Sequence, residues 1–249
     1  MSPPNKRSQG IRLDAAVIQA SIADSIEMAQ AFVLARRILV NGSIATKPGQ
    51  QVNAGSIVEL VPNQEYVGRG GIKLNQALID FGIDVSNWTC LDVGASTGGF
   101  TDCLLKRGAN RIYAVDVGYG QLDYNLRIDH RVISMERTNA RFPLDISEKV
   151  DLITIDVSFI SIKTILPSVL ENLKPNGSII ALIKPQFEAD KGEVARGGVI
   201  REPILHANIL ARIIAWLVSN NYRILNLVRS VVTGDKGNKE FFVLIRHDP

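Results

Sequence analysis

The chain has 249 residues, of which 46% are hydrophobic and 21% charged, and its formal net charge is +3. This length suits one large domain or a medium domain with a small appendage, and the composition is globular rather than fibrous or disordered. The mild basic excess permits an anionic partner without requiring one, so charge alone assigns no function.

No stretch of the sequence resembles a membrane-spanning or secretory segment. No window approaches the roughly 18 to 20 apolar residues of a membrane span. The first ten residues also lack the apolar core of a signal peptide. We therefore expect a cytoplasmic protein with a disordered tail over residues 1–10 and no stable membrane association.

The segment that begins at Ile11 has the pattern of a small α+β unit. Residues 12–14 open a short helix, and Asp24 precedes Glu27 by three positions, which is the spacing of a capping box for a second helix. This second helix should carry an apolar stripe at helical spacing. The predicted stripe consists of Met28, Phe32, Ala35 and Leu39.

A hairpin is predicted after the second helix. Asn41 and Gly42 lie between two apolar runs, which is the strongest short-range signal for a two-residue hairpin, and residues 51–61 predict one more strand. Two helices followed by a small sheet, with arginines on the second helix, resemble the alpha-L RNA-binding module of the ribosomal S4 type. The resemblance implies phosphate contacts, whereas charge alone favours a merely solvated face. The residues concerned are Arg12, Arg36, Arg37 and Lys47.

A segment rich in turn-forming residues separates this unit from the rest of the chain. We place an RNA-binding domain at residues 11–64, a linker at residues 65–71 and a second domain at residues 72–249. A helix predicted over residues 72–81 opens the second domain, and Lys73 lies at its start.

Strands and helices alternate through most of the second domain, which predicts a mostly parallel sheet covered by helices. The last two strands, at about 222–232 and 239–246, have no helix between them, so we expect one antiparallel strand at the sheet edge. This α/β pattern is that of the Rossmann-like class I methyltransferase fold. The other predicted elements are strands near 89–94, 111–117, 131–136, 150–156 and 178–184 and helices near 98–107, 121–128, 161–173 and 203–219.

The glycine turn after the first of these strands is a candidate cofactor site. A dinucleotide fingerprint would require glycine at Ser96, and a phosphate-binding loop would require lysine after Gly99. The turn instead resembles the one that holds S-adenosylmethionine. Asp116, at the end of the second strand, can accept hydrogen bonds from ribose hydroxyls, although an acidic residue there also suits NAD. The predicted cofactor-binding residues are Asp92, Gly94, Ser96, Gly98, Gly99, Phe100 and Asp116.

Asp156 and Lys184 each end an apolar strand of the predicted sheet. Because parallel strands end at one edge of a sheet, both side chains should emerge beside Gly94. For either residue alone, a solvated loop charge is the favoured interpretation, but Lys184 follows five apolar residues and precedes a proline. A lysine held among carboxylates and a second cation can accept a proton from a hydroxyl.

Four residues, Lys73, Asp156, Lys184 and Glu240, match the Lys-Asp-Lys-Glu tetrad of ribose 2′-O-methyltransferases similar to FtsJ. With the alpha-L module in front, the chain resembles the TlyA family, whose members methylate cytidine riboses of ribosomal RNA. The resemblance implies S-adenosylmethionine as cofactor and ribosomal RNA or ribosomal subunits as partner. It implies that Lys184 handles the hydroxyl proton, with Asp156 orienting Lys184 and Glu240 holding Lys73.

The segment 189–202 combines basic residues with glycines and is predicted to be either an RNA-gripping loop or a mobile surface loop. Further RNA contacts are assigned to Arg69, Arg196 and Arg201. The three histidines show no ligand spacing, so no metal is predicted.

Three other functions remain open at this point. Residues 156–159 resemble the signature of base-amine methyltransferases, but both prolines of that signature are missing. A non-catalytic RNA-binding or ribosome assembly factor would use the same RNA-binding domain. A membrane-lytic haemolysin must also be considered, because some relatives carry that name, although no strongly amphipathic cationic helix is present.

Overall fold

The computed structural model describes residues 10–61 and 65–247. These residues form two compact units, one on each side of residues 62–64. The tail predicted over residues 1–10 lies, apart from Gly10, outside the described residues. The segment predicted as a linker, residues 65–71, lies at the start of the second unit.

The first unit is a small α+β structure with two short sheets. β1 pairs with β4, and β2 lies between β3 and β5, all antiparallel. The single strand predicted over residues 51–61 is therefore two strands that belong to different sheets. The elements of the unit are β1 (Ile11–Arg12), α1 (Leu13–Gln19), α2 (Ile26–Leu34), β2 (Ile38–Val40), β3 (Ser43–Ile44), β4 (Gln51–Val52) and β5 (Val58–Leu60).

The predicted hairpin connects β2 and β3. Leu39 lies opposite Ile44, and the two turn residues, Asn41 and Gly42, have φ angles of 49° and 77°. Positive φ at both central positions is what a tight two-residue hairpin requires, so the hairpin prediction is confirmed.

Helix α2 ends earlier than predicted, so Arg36 and Arg37 follow the helix rather than lying on it. Arg36 has a φ angle of 56°, and its amide donates to the carbonyl oxygen of Val33 at 3.0 Å. The amide of Arg37 donates to the carbonyl oxygen of Phe32 at 2.8 Å. This left-handed cap satisfies carbonyl groups that the end of the helix would otherwise leave unpaired.

The buried stripe of α2 differs from the predicted one. Ala29 and Val33 are fully buried, whereas Met28 is 41% exposed. Apolar residues occupy two adjacent faces of this helix, and the face with the small alanine packs into the core. The helix cap is also one residue later than predicted, because Ser25 rather than Asp24 accepts a hydrogen bond from the amide of Met28 at 3.2 Å.

The second unit alternates strands and helices over most of its length. A short 3-10 turn, Asp235–Gly237, lies between the last two strands. In chain order the elements are α3 (Arg69–Phe81), β6 (Thr89–Val93), α4 (Gly99–Lys106), β7 (Arg111–Val115), α5 (Tyr124–Arg127), β8 (Val132–Met135), β9 (Val150–Ile155), α6 (Ile162–Leu170), β10 (Leu173–Ile183), α7 (Pro185–Glu188), α8 (Pro203–Ser219), β11 (Tyr222–Arg229) and β12 (Phe241–His247).

These strands form one seven-stranded sheet in the order β11-β12-β10-β9-β6-β7-β8. Its neighbouring strands are parallel except that β12 runs antiparallel to both β10 and β11. The predicted methyltransferase fold, mostly parallel with one antiparallel strand at one side of the sheet, is confirmed. Strand β12 inserts between β10 and β11, so β11 forms the outermost position on that side.

Helices cover both faces of the sheet. One core contains Leu78 of α3 and Leu104 of α4, and the other contains Leu166 of α6 and Ile213 of α8. All five residues of β6 are buried. Burial on both faces explains why the central strands are mostly apolar rather than alternating between apolar and polar residues.

Helix α3 begins three residues earlier than predicted, inside the segment assigned to the linker. A Cβ added to Gly99 would lie 3.0 Å from the amide nitrogen of Gly71 and 3.1 Å from Cα of Gly70, and a Cβ on Gly71 would overlap the ring of Tyr66. These glycines therefore permit close packing of α3 on α4 rather than flexibility. Their packing fixes the helix that carries Lys73.

Candidate active site

Strand register brings the predicted catalytic residues to one edge of the sheet. Val93 of β6 pairs with Ile155 of β9, and Ile183 of β10 pairs with Phe241 of β12. The neighbouring residues at the strand ends therefore emerge together. These are Gly94, Asp156, Lys184 and Glu240.

Lys184 is held by two side chains at this edge. Its Nζ lies 2.6 Å from Oδ1 of Asp156 and donates a hydrogen bond to Oγ of Ser158 at 2.9 Å. The side chains of Lys184 and Asp156 are 12% and 20% exposed. This placement leaves the ammonium group at the surface of a polar cavity, where it can reach a bound substrate.

Helix α7 begins directly after Lys184 and is anchored to the start of α6. The carboxylate of Glu188 accepts hydrogen bonds from Oγ of Ser161 at 2.6 Å and from the amide of Ile162 at 2.8 Å. Burial raises the pKa of Glu188, while these two donors favour its charged form. The anchor limits the movement of the backbone that carries Lys184.

Lys73 and Glu240 form a second, more deeply buried pair. Nζ of Lys73 donates to Oε2 of Glu240 at 2.6 Å, and the side chains are 10% and 3% exposed. A Cβ added to Gly234 would overlap the carboxylate of Glu240, so the preceding turn also restricts that side chain. The structure thus arranges the four residues of the predicted tetrad as two lysine–carboxylate pairs.

The glycine turn forms one wall of a cavity of about 210 Å³. Gly94 has a φ angle of 87°, and a Cβ there would overlap the carbonyl oxygen of Asp156. Only glycine brings the turn this close to the end of β9. The predicted residues that line this cavity are Gly94, Ser96, Gly99, Phe100, Asp156 and Lys184.

A larger cavity of about 560 Å³ adjoins the first and shares Gly94, Ser96 and Asp156 with it. Asp116 lines this second cavity. Its carboxylate accepts hydrogen bonds from the amides of Ser96 and Gly118, each at 2.7 Å. Asp116 therefore lies beside the glycine turn, with its carboxylate fixed by the backbone.

The predicted cofactor residue Asp92 does not line either cavity, because it lies one position inside β6 and its carboxylate is completely buried. It accepts hydrogen bonds from Oγ1 of Thr101 at 2.7 Å and Oγ1 of Thr154 at 3.1 Å. Burial raises its pKa to about 7. Asp92 joins β6 to α4 and β9 beneath the turn.

Gly98, another predicted cofactor residue, lines neither of the two cavities. It has a φ angle of 98°, precedes the first residue of α4 and faces α5, where an added Cβ would overlap Leu126. The structure therefore places Gly98 at a helix contact that supports the turn.

The predicted RNA-binding residues of the first unit differ in their surroundings. Arg36 and Lys47 are exposed, whereas Arg37 lies over the ring of Phe32 at 5.8 Å. Arg12 is 56% exposed and donates two hydrogen bonds to the buried carboxylate of Asp14, at 3.1 and 2.6 Å. That pairing supports the fold around α1, and more than half of the Arg12 side chain is exposed.

Three predicted RNA-binding residues belong to the second unit. Arg196 and Arg201 are exposed on the loop between α7 and α8. The guanidinium of Arg69 instead donates to the carbonyl oxygen of Thr233, in the connection between β11 and β12. Arg69 therefore has a structural partner within its own unit.

Phe159 lies at the candidate site, although it was not among the site residues predicted from the sequence. Its side chain is 87% exposed, its φ angle is 62°, and its ring centroid lies 4.9 Å from that of Phe187. Both Phe159 and Ser158 line the larger cavity beside Asp156. Their positions within residues 156–159, which resemble the base-amine methyltransferase signature, were the available signal. The sequence alone does not distinguish an exposed phenylalanine ring from a packed one.

Comparison with known proteins gives two family matches. Residues 66–247 match the model described as FtsJ-like methyltransferase, and residues 11–58 match the S4 domain model. The first match covers most of the chain and includes both cavities. The second covers the first unit.

The chain is 43% identical over 237 residues to Hemolysin A of Brachyspira hyodysenteriae, covering 93% of this chain and 98% of that protein. It is 40% identical over 239 residues to the 16S/23S rRNA (cytidine-2'-O)-methyltransferase TlyA of Mycobacterium tuberculosis (strain ATCC 25618 / H37Rv), covering 94% and 89%. A solved structure of a candidate hemolysin from Streptococcus thermophilus has 37% identity and a TM-score of 0.74, with coverage of 97% and 90%.

Within residues 10–61 and 65–247, no helix is long and apolar enough to cross a membrane. The resemblance inferred from the sequence is confirmed by the family matches and by the similarity over nearly the whole chain. The chain belongs to the FtsJ-like methyltransferases, within the group of TlyA and Hemolysin A, and carries an S4 domain ahead of its methyltransferase domain.

Proposed function

We propose that this enzyme transfers a methyl group from S-adenosylmethionine to the 2′-hydroxyl of a cytidine ribose in ribosomal RNA. The observation that carries the proposal is the placement of Lys184. Its Nζ is held by Asp156 and Ser158 on the wall of the cavity formed by the glycine turn. A basic side chain is thereby positioned where a hydroxyl can meet a methyl donor.

The two adjoining cavities fit S-adenosylmethionine. Gly94 packs against the end of β9 and lines the smaller cavity, where the amino-acid part of the cofactor would lie beside the turn. Asp116, in the larger cavity, is suited to the ribose hydroxyls, and a pocket of about 560 Å³ falls within the usual size range for small ligands. When bound there, the cofactor supplies an electrophilic methyl group.

The tetrad residues have separate tasks in the proposed reaction. As the new oxygen–carbon bond forms and the sulfur–carbon bond breaks, the hydroxyl loses its proton, and Lys184 takes that proton or stabilises the oxygen from which it leaves. Asp156 orients Lys184, and Glu240 holds Lys73, which helps to seat the ribose. Holding the two reacting groups in line supplies much of the rate enhancement.

The name of the Mycobacterium tuberculosis relative supports ribosomal RNA and cytidine as the target. The S4 domain supports RNA binding by the first unit, where Arg12, Arg36, Arg37 and Lys47 are the candidate phosphate contacts. In the second unit, Arg196 and Arg201 are the main candidates, because Arg69, although exposed, already donates to the carbonyl oxygen of Thr233. Phosphate contacts of this kind orient the RNA, while the methyltransferase site selects the ribose. A ribosomal substrate places the reaction in the cytoplasm.

Methylation of a base amine is less well supported. An exocyclic amine needs no lysine to remove its proton, so that reaction would leave the arrangement of Lys184, Asp156 and Ser158 without a purpose. A non-catalytic assembly factor would equally have no need of one buried and one cavity-lining lysine–carboxylate pair.

The proposal is tested by incubating the protein with labelled S-adenosylmethionine and purified, unmodified ribosomal subunits. Digestion of the RNA to nucleosides should yield 2′-O-methylcytidine, and the modified phosphodiester should resist alkaline cleavage. A base-methylated nucleoside would replace the proposed reaction with amine methylation. Binding to subunits without any transfer of label would favour the assembly factor.

A further inference from the structure

We propose that Asn238 is a positioning residue for the Lys73–Glu240 pair. It fastens the turn that precedes Glu240 to the loop that contains Gly198 and Ile200. This inference rests on the proposed methyltransferase function. Asn238 lies two residues before Glu240 and is not a member of the tetrad.

The Asn238 side chain is 3% exposed, and it uses both ends of its amide group. Its Oδ1 accepts a hydrogen bond from the amide of Ile200 at 3.1 Å. Its Nδ2 donates to the carbonyl oxygens of Gly198 at 2.9 Å and Asp235 at 3.2 Å. One buried side chain therefore crosslinks two segments that are about forty positions apart.

The backbone of Asn238 closes the turn itself. Its amide donates to the carbonyl oxygen of Asp235 at 3.1 Å, and its carbonyl oxygen accepts from the amide of Gly234 at 2.8 Å. The turn includes two left-handed residues, Lys236 with a φ angle of 52° and Gly237 with 82°. A conformation of this kind persists only where surrounding contacts hold it.

The turn determines the space that is open to Glu240. Gly234 lies directly against the Glu240 carboxylate, so a shift of the turn changes the room for that side chain. The backbone carbonyl of Glu240 accepts from the amide of Ser230 at 2.9 Å, which fixes its main chain from the other side. Removing the side-chain hydrogen bonds of Asn238 should therefore let the Glu240 carboxylate move, and Lys73 should move with it.

The loop crosslinked by Asn238 lies between two exposed cations, Arg196 and Arg201. Lys236 adds a surface contact by donating to the carbonyl oxygen of Gly197 at 3.3 Å. Asn238 thus connects a basic surface loop with a buried pair of the tetrad. If Asn238 had only a structural role, its replacement would lower stability without a specific effect on kcat.

The test compares Asn238→Ala with Asn172→Ala in the full chain. Asn172 is a partly buried asparagine in the same unit, just before β10, and its Nδ2 donates to the carbonyl oxygen of Leu144 at 3.0 Å. Thermal unfolding confirms that each variant is folded, and equilibrium binding measures affinity for S-adenosylmethionine. Methyl transfer to ribosomal subunits then gives kcat and KM separately.

Asn238→Ala should lower kcat by about 10-fold to 100-fold, because small displacements of positioned groups have effects of this size. The affinity for S-adenosylmethionine should stay within about twofold, and KM for RNA should change less than kcat. Asn172→Ala should lose stability and keep its kcat. An unchanged kcat in folded Asn238→Ala, or a change confined to KM, would overturn the proposal.

A second comparison asks whether Asn238 acts through Glu240. In a Glu240→Gln background, measured by single turnover, adding Asn238→Ala should have little further effect, because the group that it positions is already removed. An equal fold-loss in both backgrounds would overturn the proposal.

If Asn238→Ala does not fold, the isosteric Asn238→Asp is measured in its place and judged by the same criteria. This variant keeps the oxygen that accepts from Ile200 and loses the N–H groups that donate to Gly198 and Asp235. Absence of methyl transfer by the wild-type protein would instead reject the proposed function.

Discussion

Nζ of Lys73 lies 2.6 Å from Oε2 of Glu240, although 167 positions separate the two residues in the chain. Lys73 comes from the first helix of the second unit, and Glu240 comes directly before its last strand. Both are almost completely buried, so each charge depends on the other for compensation. The pair therefore joins the first helix of the methyltransferase unit to the start of its last strand, and it also completes the tetrad.

Breaking this pair from either side should destabilise the unit. Lys73→Met leaves a buried carboxylate and Glu240→Gln leaves a buried ammonium group, and each should lower the free energy of unfolding by about 3 to 5 kcal/mol. The double variant should lose less than the sum of the two. Urea unfolding measures all three variants, and single losses below about 0.5 kcal/mol, the range of an ordinary surface change, would contradict the account.

Replacing Gly94 should impair cofactor binding. In Gly94→Ala the new methyl group overlaps the carbonyl oxygen of Asp156, and φ of 87° is also unfavourable for alanine. A displacement that costs about 1.4 kcal/mol weakens binding tenfold, and we expect at least that loss of affinity for S-adenosylmethionine by calorimetry. Gly82→Ala is the matched control, because φ there is 64° and no atom lies within 4 Å of the added Cβ. Equal affinities for the two variants would argue against the assigned role of the turn.

Asp92 should make stability depend on pH. Burial raises the pKa of its carboxyl group from 3.8 to about 7, so between these values the folded protein binds a proton that the unfolded chain has released. The contribution of Asp92 to the free energy of unfolding therefore falls as pH rises through this window, by no more than about 4 kcal/mol, and levels off above pH 7. Urea titrations at several pH values should show a shallower decline for Asp92→Asn. Parallel profiles for wild type and variant would exclude this source of pH dependence.

Charge reversal in the first unit should weaken RNA binding. Arg36→Glu places a negative charge at an exposed candidate phosphate contact, so affinity for ribosomal RNA should fall and its dependence on salt should become shallower. Lys149→Glu makes the same change in net charge at an exposed position before β9, at the opposite end of that strand from Asp156. The two variants should differ in filter-binding titrations at several salt concentrations. If both lose the same affinity, net charge rather than a local contact explains the effect.

Patterns that depend on neighbouring residues were the ones predictable from sequence. The Asn41-Gly42 turn requires positive φ at both positions, and the alternation of strands and helices in the second unit predicted the parallel sheet. The position of Lys184 after five apolar residues predicted that it would emerge at the carboxyl edge of that sheet. The family resemblance then joined Lys73 and Glu240 to it.

Features set by tertiary packing were not predictable in the same way. Gly70 and Gly71 look like linker residues until the close approach of α3 to α4 is known. Asp92 belongs to the motif of a cofactor turn, yet strand geometry directs its carboxylate to Thr101 and Thr154. The role of Asn238 depends on contacts with a loop almost forty positions away. Local sequence carries no signal for such partners.

Single-turnover methyl transfer by Lys184→Ala, with S-adenosylmethionine and ribosomal subunits both saturating, would show whether Lys184 handles the proton of the ribose hydroxyl. We expect a loss of about 100-fold or more in the rate of 2′-O-methylcytidine formation, the lower end of the effect of a positioned proton acceptor, with little change in the affinity for S-adenosylmethionine. Asp156→Asn should give a smaller loss, because Ser158 still contacts Lys184. A Lys184→Ala rate close to that of the wild-type protein would show that Lys184 does not act on the hydroxyl proton.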